Sequence, residues 1–211
     1  LQTLQQSNGF VMGASAKNFI LYNVGWFACV YFAAVNRAWV GIVAVALVAA
    51  AHLLSVSSWR KETLTLLLAA VIGFCWESAL VATGVLIYPT AADAAPFAPA
   101  WIVALWINFA TTINVSLAWV KKRWWIASLF GAIGGPLAFA AGAGMGAVKF
   151  ADPVVTPLVI GAGWAVLLPL FALLAESIID STFLEPGYRR QRRVSLLEQA
   201  QMLLTGKGID K

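Results

Sequence analysis

The chain has 211 residues, 61% of them hydrophobic and 11% charged, with a mean hydropathy of +0.83 and a formal net charge of +5. This composition excludes an ordinary water-soluble globular domain, and two cysteines exclude a disulfide framework. The pI near 9.5 follows from basic loops beside apolar segments, so it does not point to nucleic acid.

A bilayer core about 30 Å thick takes about 20 apolar residues of helix. Six stretches meet or nearly meet that length: 18 to 35, 38 to 56, 63 to 87, 101 to 120, 124 to 148 and 154 to 175. The expected fold is all-α, a six-transmembrane-helix bundle between an N-terminal segment, 1 to 17, and a tail, 176 to 211. The N-terminal segment is rich in Gln, Ser and Asn and unlike a signal peptide, so the first apolar run reads as a retained span. Counted on alternate sides, twelve basic residues (Lys17, Arg60, Lys61, Lys121, Lys122, Arg123 and six in the tail) face two, Arg37 and Lys149. That asymmetry predicts cytoplasmic N and C termini.

Span one carries Asn23 and Cys29, and span two carries His52. Asn23 and His52 fall about 5 to 8 Å on the cytoplasmic side of the midplane by helical rise. His52 is the single histidine, which excludes haem held by two His, and no spacing suits zinc. No cofactor is predicted; axial ligation of a pigment or haem is the one cofactor role left open to His52. Cys29 and Cys75 read as small apolar residues.

Span three holds Glu77, a carboxylate in the interior of an apolar segment. A charge at that depth costs about 2.5 to 3.5 kcal/mol, so it needs a partner, a proton or a purpose. In span four Asn108, Thr111 and Thr112 share one helical face at about the same depth, which makes them its expected hydrogen-bond partners. Asn114 lies deeper, level with Asn23 and His52. Together these residues form a polar seam with two readings. One is a pocket or proton site; the other is interhelical cross-linking at about 0.6 kcal/mol per bond.

Span five reads GAIGGPLAFAAGAGMG. Gly131 with Gly135, and Gly142 with Gly146, have the i, i+4 spacing that lets helix backbones approach closely, within the chain or against a membrane partner. Gly134 and Gly135 lead into Pro136, where a kink or break is expected, and Pro169 in span six invites the same comment. Ten tryptophans include Trp39, Trp59, Trp101, Trp119, Trp124 and Trp125 at predicted interfaces and Trp26, Trp76, Trp106 and Trp164 deeper. A faint repeat relates Val71-Ile72-Gly73 and Trp76 to Val159-Ile160-Gly161 and Trp164, and Asn18-Phe19 with Asn23-Val24 to Asn108-Phe109 with Asn114-Val115. With three spans per half it would be inverted in topology.

In the tail, Arg189, Arg190, Arg192 and Arg193 precede an amphipathic stretch, 194 to 204. It reads as a short helix on the anionic leaflet, at about 1 kcal/mol per basic residue, or as a docking site for a membrane partner. No GxSxG, HExxH or P-loop pattern occurs.

The ordered set Asn18-Phe19, Gly25-Trp26, His52, Trp76-Glu77, Gly84, Trp101, Asn108-Phe109-Ala110, Gly131-Ala132 and Gly134-Gly135-Pro136-Leu137 resembles the bacterial inner-membrane family known as domain of unknown function 2878, over residues 18 to 150. The resemblance implies a multi-pass protein of the bacterial cytoplasmic membrane with a hint of lipid biology, and brings no activity with it. Three functions follow as expectations: an accessory subunit of a membrane complex, favoured by the absence of catalytic motifs; a proton- or ion-coupled transporter using Glu77; or a lipid-modifying enzyme with Glu77 and His52 as acid and base.

Overall fold

The computed structural model describes residues 2–89 and 96–180, with side chains from Gly13 onward. Six α-helices carry the fold: α1 Gln2–Ala34, α2 Ala38–Ser55, α3 Trp59–Ala82, α4 Ala100–Ile113, α5 Trp124–Gly144 and α6 Val155–Asp180. Two two-residue strands, β1 Leu86–Ile87 and β2 Lys149–Phe150, join the loops after α3 and α5. The basic tail, with Arg189, Arg190, Arg192, Arg193 and the amphipathic stretch, lies outside the described residues.

The bundle has an apolar core, as a water-soluble protein does, but an apolar outside as well. Phe19, Trp39, Leu47, Leu54, Val71, Leu137, Leu158 and Val166 lie on the outside, whereas Glu77, Asn108, Thr111 and Thr112 are buried. Such a surface is stable only against an apolar solvent, and α2, α3, α5 and α6 are each long and apolar enough to cross a membrane. The chain is a membrane-embedded protein.

The remaining two expected spans differ from these four. α1 is a helix of 33 residues that carries the apolar run at its C-terminal half. α4 has 14 residues and rises about 21 Å, short of the hydrocarbon core. The expected span 101 to 120 ends as a helix at Ile113: the Val115 and Leu117 amides both turn back onto the Thr112 carbonyl, at 3.1 and 2.8 Å, and Asn18 Nδ2 takes the Thr111 carbonyl at 3.1 Å. The Thr111 carbonyl is the one that the Val115 amide would take in a continuing helix. The chain then turns into a 3-10 helix, Ala118–Lys122.

Three helices end alike. After α3 the Gly84 amide donates to Val81 and that of Val85 to Leu80; after α5 Gly146 and Ala147 donate to Ala143 and Gly142; after α1 Asn36 and Arg37 donate to Ala33 and Phe32. This is the Schellman closure, which needs a left-handed residue, and Asn36, Gly84 and Gly146 have φ of 59°, 71° and 86°. Spans three and five therefore stop at Ala82 and Gly144, not at the expected 87 and 148, and the freed residues pair antiparallel, Leu86 with Phe150 and Ile87 with Lys149. Asp152 Oδ1 accepts the Val154 and Val155 amides at 2.8 and 2.7 Å and starts α6. Those two bonds hold its carboxyl below the ordinary 3.8.

α1 packs on α2 and α4, α3 on α4 and α6, and α5 on α6. α5 runs through Pro136 as one helix, so the expected break does not form. The Ala132 carbonyl that Pro136 leaves unpaired faces Gly161 of α6, where a Cβ would lie 3.0 Å from the oxygen. Glycine on one helix thus accommodates what proline frees on the other.

Candidate functional site

Glu77 is fully buried and accepts two hydrogen bonds: Trp106 Nε1 donates to Oε1 at 3.1 Å, and Tyr88 Oη donates to Oε2 at 3.1 Å. Both donors are held rigidly. The Trp106 ring lies against Gly73, where any Cβ would collide with it, and stacks on Trp164 at 4.7 Å with a 12° interplanar angle. Tyr88 follows β1 and returns over Glu77 because Gly84 turns the chain and β1 clips onto β2. Trp101, expected as an interfacial anchor, is buried and packs edge-on to Tyr88 at 5.4 Å.

The expected partners of Glu77 are engaged elsewhere. Asn108 Nδ2 donates to the Tyr22 carbonyl at 2.9 Å, in a space that Gly25 keeps open, while Thr111 and Thr112 bond within α4. Asn18, which the seam did not include, donates from Nδ2 to the Thr111 carbonyl at 3.1 Å and accepts from Ser116 Oγ at 2.7 Å. Asn18 and Asn108 therefore cross-link α1 and α4 reciprocally, each donating to the other helix's backbone. Asn23, partly exposed, donates to Phe19 on its own helix at 2.7 Å.

A second polar cluster sits at the opposite end, where α2, α3 and α4 meet. His52 Nε2 lies 3.2 Å from Glu62 Oε2, and Asn114 Nδ2 donates to Glu62 Oε1 at 2.9 Å. Lys121 in turn donates to Asn114 Oδ1. Burial pushes the Lys121 ammonium below its ordinary 10.5, opposed by the charges of Glu62, Glu176 and Asp180. Lys61 Nζ donates to the Ile179 carbonyl at 2.6 Å. Glu62 is the residue that sequence reasoning missed, because span three was begun at residue 63. The signal was an acid in the first helical turn, ten residues after the lone histidine.

Between α1, α4, α5 and α6 lies a cavity of about 230 Å³. Glu77, Tyr88 and Trp101 form one end, Ser116 and Leu117 contribute to its wall in the turn after α4, and the rest is almost wholly apolar and aromatic. Phe19 of α1 and Phe130 of α5 line it while remaining 56% and 46% exposed, so the wall is open there toward the surroundings of the bundle. Gly131, Gly134, Gly135 and Gly142 form the α5 side. Gly131 and Gly135 seat Trp164; Gly134 has no atom within 4 Å of a built Cβ and faces space; Gly142 makes ordinary contacts with Val148 and Val30. Gly146 packs against nothing and serves the turn. Trp76 is absent from the wall and covers Gly163, and His52 is absent too.

No curated protein and no solved structure matches the chain. One family model does, described as protein of unknown function (DUF2878), over residues 15–170. That range takes in the whole cavity wall, Phe19 to Leu168, and the chain belongs to the DUF2878 family.

Proposed function

We propose that this protein is a six-span membrane protein, α4 and the 3-10 helix after it together making the fourth crossing, and that it holds the apolar part of a lipid-like amphiphile in its intramembrane cavity. One observation carries the reading: a cavity of about 230 Å³, almost wholly apolar and aromatic, with Glu77 at one end and open beside two exposed phenylalanines. A dry apolar cavity of about 150 Å³ already admits benzene, so this one has room for a larger hydrocarbon piece. Lipid chains are the apolar molecules that surround such an opening.

The bacterial cytoplasmic membrane with both termini inside is the matching topology. The polar contacts bring Asn18, His52, Lys61 and Lys121 to one end of the bundle, and that end carries the basic loops. An accessory-subunit role draws its support from the exposed outer face and the basic tail, because Gly131 and Gly135 already seat Trp164 of the same chain. A lipid-modifying enzyme using Glu77 and His52 as a pair lacks their juxtaposition: His52 lies on Glu62, away from the cavity. Cation-coupled transport has the cavity position of Glu77 in its favour.

Ligand binding to the folded state raises its stability by mass action. Dodecanol added to the purified protein raises the unfolding temperature of the wild type and leaves that of Gly134→Leu unchanged, since the leucine side chain fills the cavity. An equal rise in both proteins would contradict the proposal.

A further inference from the structure

We infer that the cavity selects a lipophilic cation, an ammonium group on an alkyl chain, with the ammonium at Glu77 and the chain running toward the opening between Phe19 and Phe130. The inference rests on the cavity reading and names its ligand class.

Three observations converge. First, among the described residues the wall contains one acidic side chain and no Lys, Arg or His. In a low-dielectric interior a single unbalanced carboxylate sets the sign of the local field, so an anion is repelled and a cation attracted. Second, the hydrogen bonds to Glu77 come from neutral donors, Trp106 and Tyr88. They use about half of a carboxylate's roughly four acceptor sites and provide no counter-charge. An ionised buried carboxylate without a counter-ion is costly, and a bound ammonium supplies one. Third, the rings of Tyr22, Trp26 and Trp101 line the same cavity. Aromatic faces within about 6 Å of a cation attract it, and aromatic walls are the usual means of holding quaternary ammonium groups. A neutral alkyl ligand would need neither the carboxylate nor these rings beside it.

The test measures the affinity of purified protein in maltoside detergent for three probes with the same tail: dodecyltrimethylammonium, dodecanol and dodecanoate. The expected order is ammonium tightest, by about tenfold over dodecanol, which corresponds to about 1.4 kcal/mol, with dodecanoate weakest. Glu77→Gln keeps an acceptor for Trp106 and a partner for Tyr88, removes the charge, and abolishes the preference while leaving dodecanol affinity within about twofold. Trp26→Leu provides a second variant away from the carboxylate, and it weakens ammonium more than dodecanol. Equal wild-type affinities for ammonium and dodecanol, or a preference that survives Glu77→Gln, overturn the inference while the cavity reading stands, provided Gly134→Leu still blocks dodecanol. Dodecanol binding unaffected by Gly134→Leu overturns both.

Discussion

At the scale of the residue, burial of Glu77 is stabilised by the two aromatic donors that hold its oxygens. Trp106→Phe keeps the ring on Gly73 and removes the N–H from Oε1; leaving one buried acceptor short costs about 1 to 3 kcal/mol, measured as a lower midpoint in denaturing-detergent unfolding. An unchanged midpoint would mean that the bond contributes nothing net. The same reasoning applies to Glu62, which gathers His52 and Asn114: Glu62→Ala leaves both short of a partner and lowers stability by a similar amount. Asp152 supplies the pH dependence. Its folded value is depressed by the Val154 and Val155 amides, so its contribution is fully present above the unfolded value near 3.8 and is lost as pH falls through the folded value. Asp152→Ala should therefore lower the unfolding temperature at neutral pH, and the difference should close in strong acid; a difference that persists there would show that the cap acts without its charge. Glu77 itself was legible as an isolated acid in an apolar run. Its partners were not, because matching depth along two helices does not reveal which faces meet. Gly73 admits the Trp106 ring between α3 and α4, and a deep indole N–H needing an acceptor was the available clue.

At the scale of the element, the apolar segments were legible because each approaches the length of a bilayer core, and their ends were not. Val85, Leu86 and Ile87 continue past Gly84, and Ala147 and Val148 past Gly146, without a change in hydropathy, but the left-handed geometry at the two glycines closes the helix. Hydropathy also hides the short α4, whose end is set by the turn of Val115 and Leu117 onto the Thr112 carbonyl. Within α5 the glycines divide into packing and space-facing positions. Gly131→Ala places a methyl against the Trp164 backbone and forces α5 from α6, a cost of about 1 to 3 kcal/mol. Gly134→Ala meets nothing and gains up to about 1 kcal/mol from helix propensity. Thermal unfolding of the two variants should move in opposite directions; parallel destabilisation would show that Gly134 also packs.

At the scale of the whole molecule, the faint repeat survives in the reciprocal bonds of Asn18 and Asn108 but not in the assembly. α1 packs broadly on α2, whereas the main partner of α5 is α6. The cavity forms where α1, α4, α5 and α6 meet, an arrangement that composition and periodicity along single helices do not encode. The occupant proposed for it is an apolar chain. Mass spectrometry of the intact protein released gently from native membranes, wild type beside Gly134→Leu, tests this directly. A lipid-like adduct retained by the wild type and lost from the variant is the predicted result; two proteins equally bare, or equally loaded, would contradict the assignment of the cavity as a ligand site.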